Sequence, residues 1–307
     1  MTNKNTSSSQ QLQLSGFDVL KRGRHKQSKA RKEKITNIVI SVIMAIVCLI
    51  LMIPFLWMVI NSFQPDAESI FTDPPKLPDP WSFENYVKVF ETWNFFQMLG
   101  NTLFVVFTSM TISLVSSTIV AYGFARFRSR IKKPMFAVML GTMMLPWIVT
   151  FMPTYIMFSK LNWTGTFLPL IVPAIGGGAF NIFLLRQYFM GIPKSIDEAG
   201  IIDGCSRFGV LWRLLLPQCK PVIATLIVFS FNGAWCDYVG PSIYLMGMSD
   251  KYTLSVGLSI LSSQTLGSVI PWHLILAGCV VFALPMVIVL FVAQDAFVKG
   301  IITTGIK

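Results

Sequence analysis

The chain has 307 residues, of which 53% are hydrophobic and 13% are charged, and its mean hydropathy is +0.63. This composition is too apolar for an ordinary soluble domain, so membrane-spanning segments decide the fold class. The net charge of +11 could suit nucleic acid, but the basic residues flank apolar segments, which argues against a nucleic-acid partner.

The chain begins with a basic segment and continues with long apolar segments. "KRGRHKQSKARKEK" at 21–34 carries eight Lys or Arg, and we predict that residues 1–34 form a disordered cytoplasmic tail near anionic lipid headgroups. Residues 35–307 form the predicted membrane domain. A helix needs about 20 residues to cross the hydrocarbon core. Six segments are long enough: 35–60, 100–122, 135–158, 164–185, 221–240 and 272–294.

The six segments predict an all-α integral membrane protein. Backbone groups in lipid must pair within their own segment, and the apolar runs are too continuous for the alternating strands of a membrane barrel. The fourth segment is the weakest, because Pro169, Pro173 and the glycines at 176–178 interrupt it. We interpret it as a kinked packing helix in preference to a substrate contact.

The distribution of basic residues predicts the orientation. Six helices that start from a cytoplasmic tail leave 21 of the 25 Lys and Arg inside, and the outer loop at 61–98 holds six acidic and two basic residues. Positive residues favour the cytoplasmic side. Both termini are therefore expected in the cytoplasm.

Sequence signals of catalysis and of metal binding are scarce. The five cysteines are scattered and there are only two histidines, which does not fit a zinc or redox site. The chain has no Gly-Lys dipeptide and so no phosphate-binding loop of the GxxxxGK[ST] type. We expect no catalytic residue, no metal and no ATP hydrolysis by this chain.

The loop at 186–220, between the fourth and fifth segments, is the most informative. Ser195 and Glu198 have capping-box spacing, which predicts a helix that starts at Ser195. Asp203 and Gly204 are expected to end that helix, since glycine takes the left-handed conformation at low cost. Pro217 marks the start of the next membrane helix.

One side of this first short helix carries almost no side chain, at Ala199 and Gly200. The loop also offers more apolar surface than a solvated loop needs, at Ile196, Ile201, Ile202, Phe208, Leu211 and Trp212. Two alternatives remain open from the residues. The loop either folds back on its own helix ends or docks in a groove of a cytoplasmic partner.

The loop resembles the cytoplasmic signature E-A-A-x3-G-x9-I-x-L-P of permease subunits of ATP-binding-cassette importers. Glu198, Ala199, Gly204, Leu216 and Pro217 match at that spacing, whereas Gly200 replaces the second Ala and Leu214 replaces Ile. The similarity covers about two thirds of the chain and points to the carbohydrate branch, in particular to the type related to the maltose permease G subunit. It extends through "AYGFARFRSRIKKPMF", "MMLPWIVTFMPTYIMF", "FLLRQYFMGIPKSIDEAGIIDG", "FNGAWCDYVGPSIYL" and "YTLSVGL".

The resemblance implies a six-helix permease of the type I, MetI-like kind in the prokaryotic cytoplasmic membrane, which imports a sugar or oligosaccharide. The implied partners are a second homologous permease subunit, a dimer of ATPase subunits that bind ATP and Mg, and an extracellular or periplasmic sugar-binding protein. This chain would bind no cofactor. In this family the segment at 195–209 is the coupling helix. The implied coupling residues are Ser195, Glu198, Ala199, Gly200, Asp203, Gly204, Arg207, Leu216 and Pro217.

Polar residues in the fifth segment are candidates for the sugar path. They are Asn232, Trp235, Asp237 and Tyr238. Sugars bind through hydrogen bonds and ring stacking, which these side chains can supply. Asn232 and Asp237 lie about 140° apart on a regular helix, so they share one cavity only if Gly233 distorts the backbone. Hydrogen bonding between helices is at least as good an explanation.

Two further observations concern the second segment and the alternative function. Ser109, Ser113, Ser116 and Ser117 form a small polar face that suits close helix packing.

An ion-coupled secondary transporter remains the alternative function. It should show internally repeated broken helices and ionisable residues in the membrane, and Asp237 is the only good candidate for such an ion.

Overall fold

The computed structural model describes the backbone of residues 5–304 apart from 73, 75, 93 and 264–269, and the side chains of 33–294 apart from these and residue 92. Every regular element in these residues is helical. The α-helices are α1 Asn5–Asn61, α2 Glu84–Thr92, α3 Phe95–Arg126, α4 Lys132–Thr142, α5 Trp147–Lys160, α6 Leu168–Ile171, α7 Ala179–Gly191, α8 Lys194–Ile202, α9 Arg207–Gly209, α10 Lys220–Trp235, α11 Val239–Tyr244, α12 Leu254–Ser263 and α13 Trp272–Thr304.

Short turns of other helix types connect several of these helices. They are the 3₁₀ turns Glu68–Phe71, Val172–Gly176, Leu216–Cys219 and Ser249–Lys251, and the π-helical turn Val210–Leu215.

Five stretches of the described residues are long and apolar enough to cross a membrane, and a bent pair of helices supplies a sixth. The five are Glu33–Asn61, Phe95–Arg126, Leu168–Gly191, Arg207–Tyr244 and Trp272–Gln294. All five overlap predicted segments, so the all-α membrane fold is confirmed, but Arg207–Tyr244 starts inside the predicted loop, 14 residues before the predicted start at 221.

The third predicted segment, 135–158, is not one continuous helix. It consists of α4 and α5, which are bent by 97° at the break between Thr142 and Trp147. Pro146 precedes α5 with an extended ψ of 131°. A proline disfavours helical backbone in the residue before it and cannot donate to the preceding turn, which explains why the helix stops before Pro146.

Residues 1–59 and 60–307 form two separate units. In the first unit, the apolar side chains of α1 are exposed from Ile35 to Trp57, Leu51 by 71%. A helix that is apolar on all sides needs an apolar solvent. The predicted disorder of residues 1–34 and their lipid contact stay a prediction, since the side chains of 1–32 lie outside the described set.

The second unit has two apolar cores. One surrounds Phe189, Leu185 and Leu211, where α3, α7 and the segment that precedes α10 meet. The other surrounds Trp235 and Val106 and joins α3, α10, α12 and α13. The first core therefore supports the loop at 186–220, and the second supports the fifth span.

The serine face of α3 packs against the broken fourth span. The Ser116 hydroxyl donates to the Ile175 carbonyl oxygen at 2.5 Å, and the Gly178 amide donates to Ser117 Oγ at 3.1 Å. Gly177 has a φ of +70° in the break before α7. These contacts confirm helix packing for Ser116 and Ser117 and show that the fourth segment is broken before α7.

Gly177→Ala should destabilise the protein by about 1 to 3 kcal/mol. A Cβ at Gly177 would lie 2.9 Å from Ser117 Oγ and 3.2 Å from its backbone nitrogen, and the φ is left-handed as well. Thermal unfolding in detergent measures the loss. Gly176→Ala is the matched control, because its Cβ would meet nothing within 4 Å. Equal melting temperatures for the two variants would contradict this explanation.

Candidate coupling segment and substrate path

The first helix of the loop, α8, starts earlier than the sequence predicted. Pro193, with φ −56° and ψ 136°, is the residue before the helix, and no side chain caps its amides. The predicted capping box of Ser195 and Glu198 is therefore wrong. The fixed φ of proline pre-organises the entry into the helix, and this places Ser195 inside the first turn, where its hydroxyl is exposed.

The end of α8 matches the prediction for Gly204. Its φ is +85°, and its amide donates to the Ile201 carbonyl oxygen at 3.0 Å. The Cys205 amide donates to the Gly200 carbonyl oxygen at 2.9 Å. These two bonds form a Schellman motif, which requires the left-handed backbone at Gly204 and turns the chain sharply after Asp203.

After this turn the chain returns toward the membrane through a second helical stretch. The Ser206 hydroxyl accepts a hydrogen bond from the Gly209 amide at 3.1 Å and so caps α9, which begins at Arg207. Pro217 lies in the first turn of the short helix that leads into α10, where a missing amide proton costs nothing. The two short helices and the break between them are as predicted.

The inner face of α8 is covered by its own chain. Gly200 is buried, and a Cβ on it would contact the Leu214 side chain and come within 3.2 Å of Val210 Cγ2. Gly200 and Leu214 are the two positions that depart from the family signature, and they contact each other across the two short helices. Folding back on its own chain therefore accounts for Gly200, whereas Ala199 stays exposed.

The outer face of the same segment stays exposed and apolar. Ile202 is 84% exposed and Phe208 is 61% exposed. Glu198 and Ala199 of α8 are exposed as well. An open groove of about 460 Å³, lined by Gly204 and Trp212 among others, follows the turn. Exposed apolar surface of this kind is typical of an interaction site.

A buried ion pair connects α8 to the end of α3. Arg126 Nε lies 2.7 Å from Asp197 Oδ2, and the two side chains are only 7% and 14% exposed. Arg126 also donates to the Ile192 carbonyl oxygen at 3.1 Å, and the Tyr122 hydroxyl donates to the Arg207 carbonyl oxygen at 3.2 Å. The candidate coupling segment, residues 195–217, is therefore attached to α3 through Asp197 and Arg207.

Burial raises the pKa of the Asp197 carboxyl, and the positive charge of Arg126 opposes that rise. Its second oxygen, Oδ1, is buried and accepts no hydrogen bond from the described residues. Arg126 is therefore the main group that stabilises the negative charge of this carboxylate. Neither Arg126 nor Asp197 was predicted as a site residue. In the sequence, the only signals for this ion pair were a basic residue at the end of the second span and an acidic residue in the first turn of the loop helix.

The candidate substrate-path residues differ in their exposure and in their partners. The α10 helix ends at Trp235, and Asp237 lies in the break before α11, where its Oδ1 accepts from the Gly240 amide at 3.1 Å. Asn232 and Tyr238 are exposed, and Tyr238 accepts from the Ser259 hydroxyl at 3.1 Å. The distortion at Gly233 that a shared cavity would require is absent, because α10 runs through Gly233 and ends later, at Trp235.

Trp235 lies in the core. It is 1% exposed, stacks on Phe231 at 5.4 Å between ring centroids, and donates through Nε1 to the Phe282 carbonyl oxygen at 3.0 Å. Its only polar atom therefore joins α10 to α13. The sequence left two roles open for Trp235, substrate contact and hydrogen bonding between helices, and the structure shows the second.

Trp235→Phe should lower the free energy of unfolding by about 1 kcal/mol through loss of this hydrogen bond. The KM of uptake should stay unchanged, because the indole faces no exposed surface. Denaturant titration and uptake kinetics on the same preparation measure both quantities. A raised KM with unchanged stability would put Trp235 in the substrate path after all.

Residues 113–303 match the family described as binding-protein-dependent transport system inner membrane component. The chain belongs to this family. The match includes α7, the coupling segment and the fifth span, so the resemblance carried by the signature at 198–217 is confirmed. The family also identifies the chain as a multi-pass transport component of the inner membrane.

Two relatives resemble this inner-membrane component over nearly its whole length. It is 26% identical over 282 residues to the arabinooligosaccharides transport system permease protein of Halalkalibacterium halodurans, covering 91% of this chain and 99% of that protein. It is 30% identical over 281 residues to the trehalose/maltose transport system permease protein of Thermococcus litoralis, covering 90% and 97%.

A solved structure shows the same fold. A chain of a bacterial ABC transporter involved in the import of the acidic polysaccharide alginate superimposes with a TM-score of 0.73 at 23% identity, covering 87% of this chain and 98% of that one. This agreement confirms the importer-permease fold predicted for the inner-membrane component.

Proposed function

We propose that this chain is the permease subunit through which an ATP-driven importer moves a sugar or oligosaccharide across the prokaryotic cytoplasmic membrane. The carrying observation is the two-sided coupling segment. Its inner side is fixed to α3 by the buried pair of Arg126 and Asp197, while its outer side exposes Ile202 and Phe208. The oligosaccharide substrates named for its relatives support a carbohydrate.

The coupling mechanism follows from this attachment. A short helix seated in a groove of an ATPase subunit moves with that subunit when ATP binding closes the ATPase dimer. Because α8 is fixed to α3 by a buried ion pair, the motion passes into the membrane helices and changes the side to which the cavity opens. The partner ATPases would bind the ATP and Mg, and this chain would bind no cofactor.

The proposed coupling residues divide by position. Glu198 and Ala199 lie on the exposed face that would meet the ATPase, and Gly204 sets the turn beside the groove. Ser195 and Asp203 are exposed at the two ends of α8. Gly200 is buried against Leu214, and the Arg207 guanidinium lies 5.0 Å from the centroid of the Phe127 ring. Leu216 and Pro217 lie in the short turn that leads into α10. A second permease subunit and an extracellular or periplasmic sugar-binding protein complete the proposed assembly.

The orientation proposed is that both termini lie in the cytoplasm. With six spans, the coupling segment then lies on the same side as the basic residues at 126–133 and at 21–34. This agrees with the preference of Lys and Arg for the cytoplasmic side. For the sugar path, Asn232 and Tyr238 remain the candidates, because both side chains are exposed in the fifth span.

Co-purification from native membranes tests the proposed function. The full-length chain, solubilised in mild detergent and analysed by mass spectrometry, should carry an ATPase subunit and a second permease subunit in one particle. Ile202→Asp should reduce the recovered ATPase, and Leu77→Asp, on an exposed apolar residue of the loop at 61–98, serves as its control. A stable particle that contains neither partner would favour the ion-coupled secondary transporter.

A further inference from the structure

A basic pocket of about 380 Å³ lies where α3 and α7 end and where α4 and α8 begin. Arg126, Lys132, Arg186 and Lys194 line it, and none of its described lining residues is acidic. Asp197 neutralises Arg126 at 2.7 Å. Three positive charges therefore remain without a carboxylate in the pocket.

Arg186 is held in this pocket with an unused donor. Its guanidinium carbon lies 4.1 Å from the centroid of the Phe136 ring. Its Nε is buried and has no hydrogen-bond partner in the described part of the chain. Lys132 donates to the Phe127 carbonyl oxygen at 3.0 Å, which leaves its other ammonium protons available. An anion with several acceptor oxygens fits these donors.

An apolar groove of about 250 Å³ between α3 and α4 adjoins the basic pocket, and Lys132 lines both. Val120, Phe124 and Met135 form much of its surface. Gly123 also lines it, and a Cβ on Gly123 would meet nothing within 4 Å, so the groove is open there. A cluster of cations and an apolar groove are thus continuous at the end of the membrane spans.

We infer that this chain binds an anionic phospholipid here. The headgroup phosphate binds Lys132, Arg186 and Lys194, and an acyl chain lies in the groove beside Gly123. Basic pockets between spans on the cytoplasmic side suit anionic headgroups, and the adjoining groove selects a lipid over free phosphate. The inference rests on the orientation given under the proposed function, which places this pocket at the cytoplasmic surface.

Retention of lipid by the purified protein tests the inference. The full-length chain, with the subunits that co-purify, is reconstituted into vesicles of phosphatidylglycerol and phosphatidylethanolamine, extracted in mild detergent and analysed by native mass spectrometry. Lys132→Gln and Arg186→Gln should each lower the retained phosphatidylglycerol about fivefold. Gly123→Leu should lower it without a change of charge. Lys133→Gln, at the exposed neighbour of Lys132, is the matched control and should retain lipid normally.

Three outcomes would overturn the inference. Equal losses in Lys133→Gln and Lys132→Gln would show a general effect of charge. Normal lipid retention in Gly123→Leu, together with displacement by inorganic phosphate, would show a site for free phosphate. Loss of the second permease subunit from Gly123→Leu with unchanged lipid would show a subunit interface. Absence of an ATPase from the particle would instead refute the proposed function. The number of lipids bound to this chain can still be measured in that case.

Discussion

Gly204→Val should reduce ATP-driven uptake roughly tenfold or more while the protein still inserts and assembles. A β-branched residue at a φ of +85° costs about 1 to 3 kcal/mol, so the Schellman turn opens and the exposed face of α8 loses its position. A Cβ at Gly204 would meet nothing within 4 Å, so the effect comes from the backbone and not from a clash. The ratio of sugar imported to ATP hydrolysed in proteoliposomes measures the uncoupling.

Gly247→Val is the matched control for this experiment. Gly247 has a φ of +81°, and its Cβ would also meet nothing within 4 Å, but it lies in the turn after α11, away from the coupling segment. We expect similar destabilisation and an unchanged import-to-ATP ratio. Gly204→Asn should retain most uptake, because asparagine tolerates left-handed backbone. Normal coupling in Gly204→Val, or equal uncoupling in Gly247→Val, would exclude this role of Gly204.

Arg126→Gln should lower the free energy of unfolding by about 3 to 5 kcal/mol, because it leaves Asp197 buried without its partner. Denaturant titration in detergent measures the change. Arg128→Gln removes an exposed charge close by and should change stability by less than about 0.5 kcal/mol. The double variant Arg126→Met with Asp197→Leu should recover most of the stability, since an apolar pair avoids the unpaired charge. No recovery would contradict the ion-pair explanation.

Arg126→Gln should also change how the stability of the protein depends on pH. Burial raises the pKa of Asp197, and removal of Arg126 removes the main influence that lowers it. A carboxyl whose folded pKa lies above its unfolded pKa binds more protons when folded, so stability falls as pH rises between the two values. Arg126→Gln should therefore regain stability as the pH is lowered toward the ordinary pKa of an aspartate. The difference between variant and parent should stay constant with pH if Asp197 is not the responsible group.

Much of the fold could be predicted from the sequence, because lipid imposes length and hydropathy on each span. The break at Gly204 was predictable as well, since only a left-handed residue forms this turn cheaply. The bend between α4 and α5 could have been suspected from Pro146, but hydropathy alone joins both helices into one segment.

What the sequence could not show depends on contacts between distant residues. Nothing in local spacing connects Arg126 with Asp197, and the burial of Trp235 depends on α13. The capping box at Ser195 failed because Pro193 had already fixed the entry into α8. The exposed face of α8 is where we propose that a partner binds, whereas the identity of the substrate depends on side chains that the spans bring together.

Uptake by proteoliposomes tests most directly the claim that this chain is a gate driven by a partner ATPase. Vesicles that contain the chain with its second permease subunit and ATPases should import sugar only when ATP is enclosed and the sugar-binding protein is outside. Vesicles that contain the chain alone should import none under a proton or sodium gradient. Sugar accumulation by the chain alone, driven by such a gradient, would contradict the account.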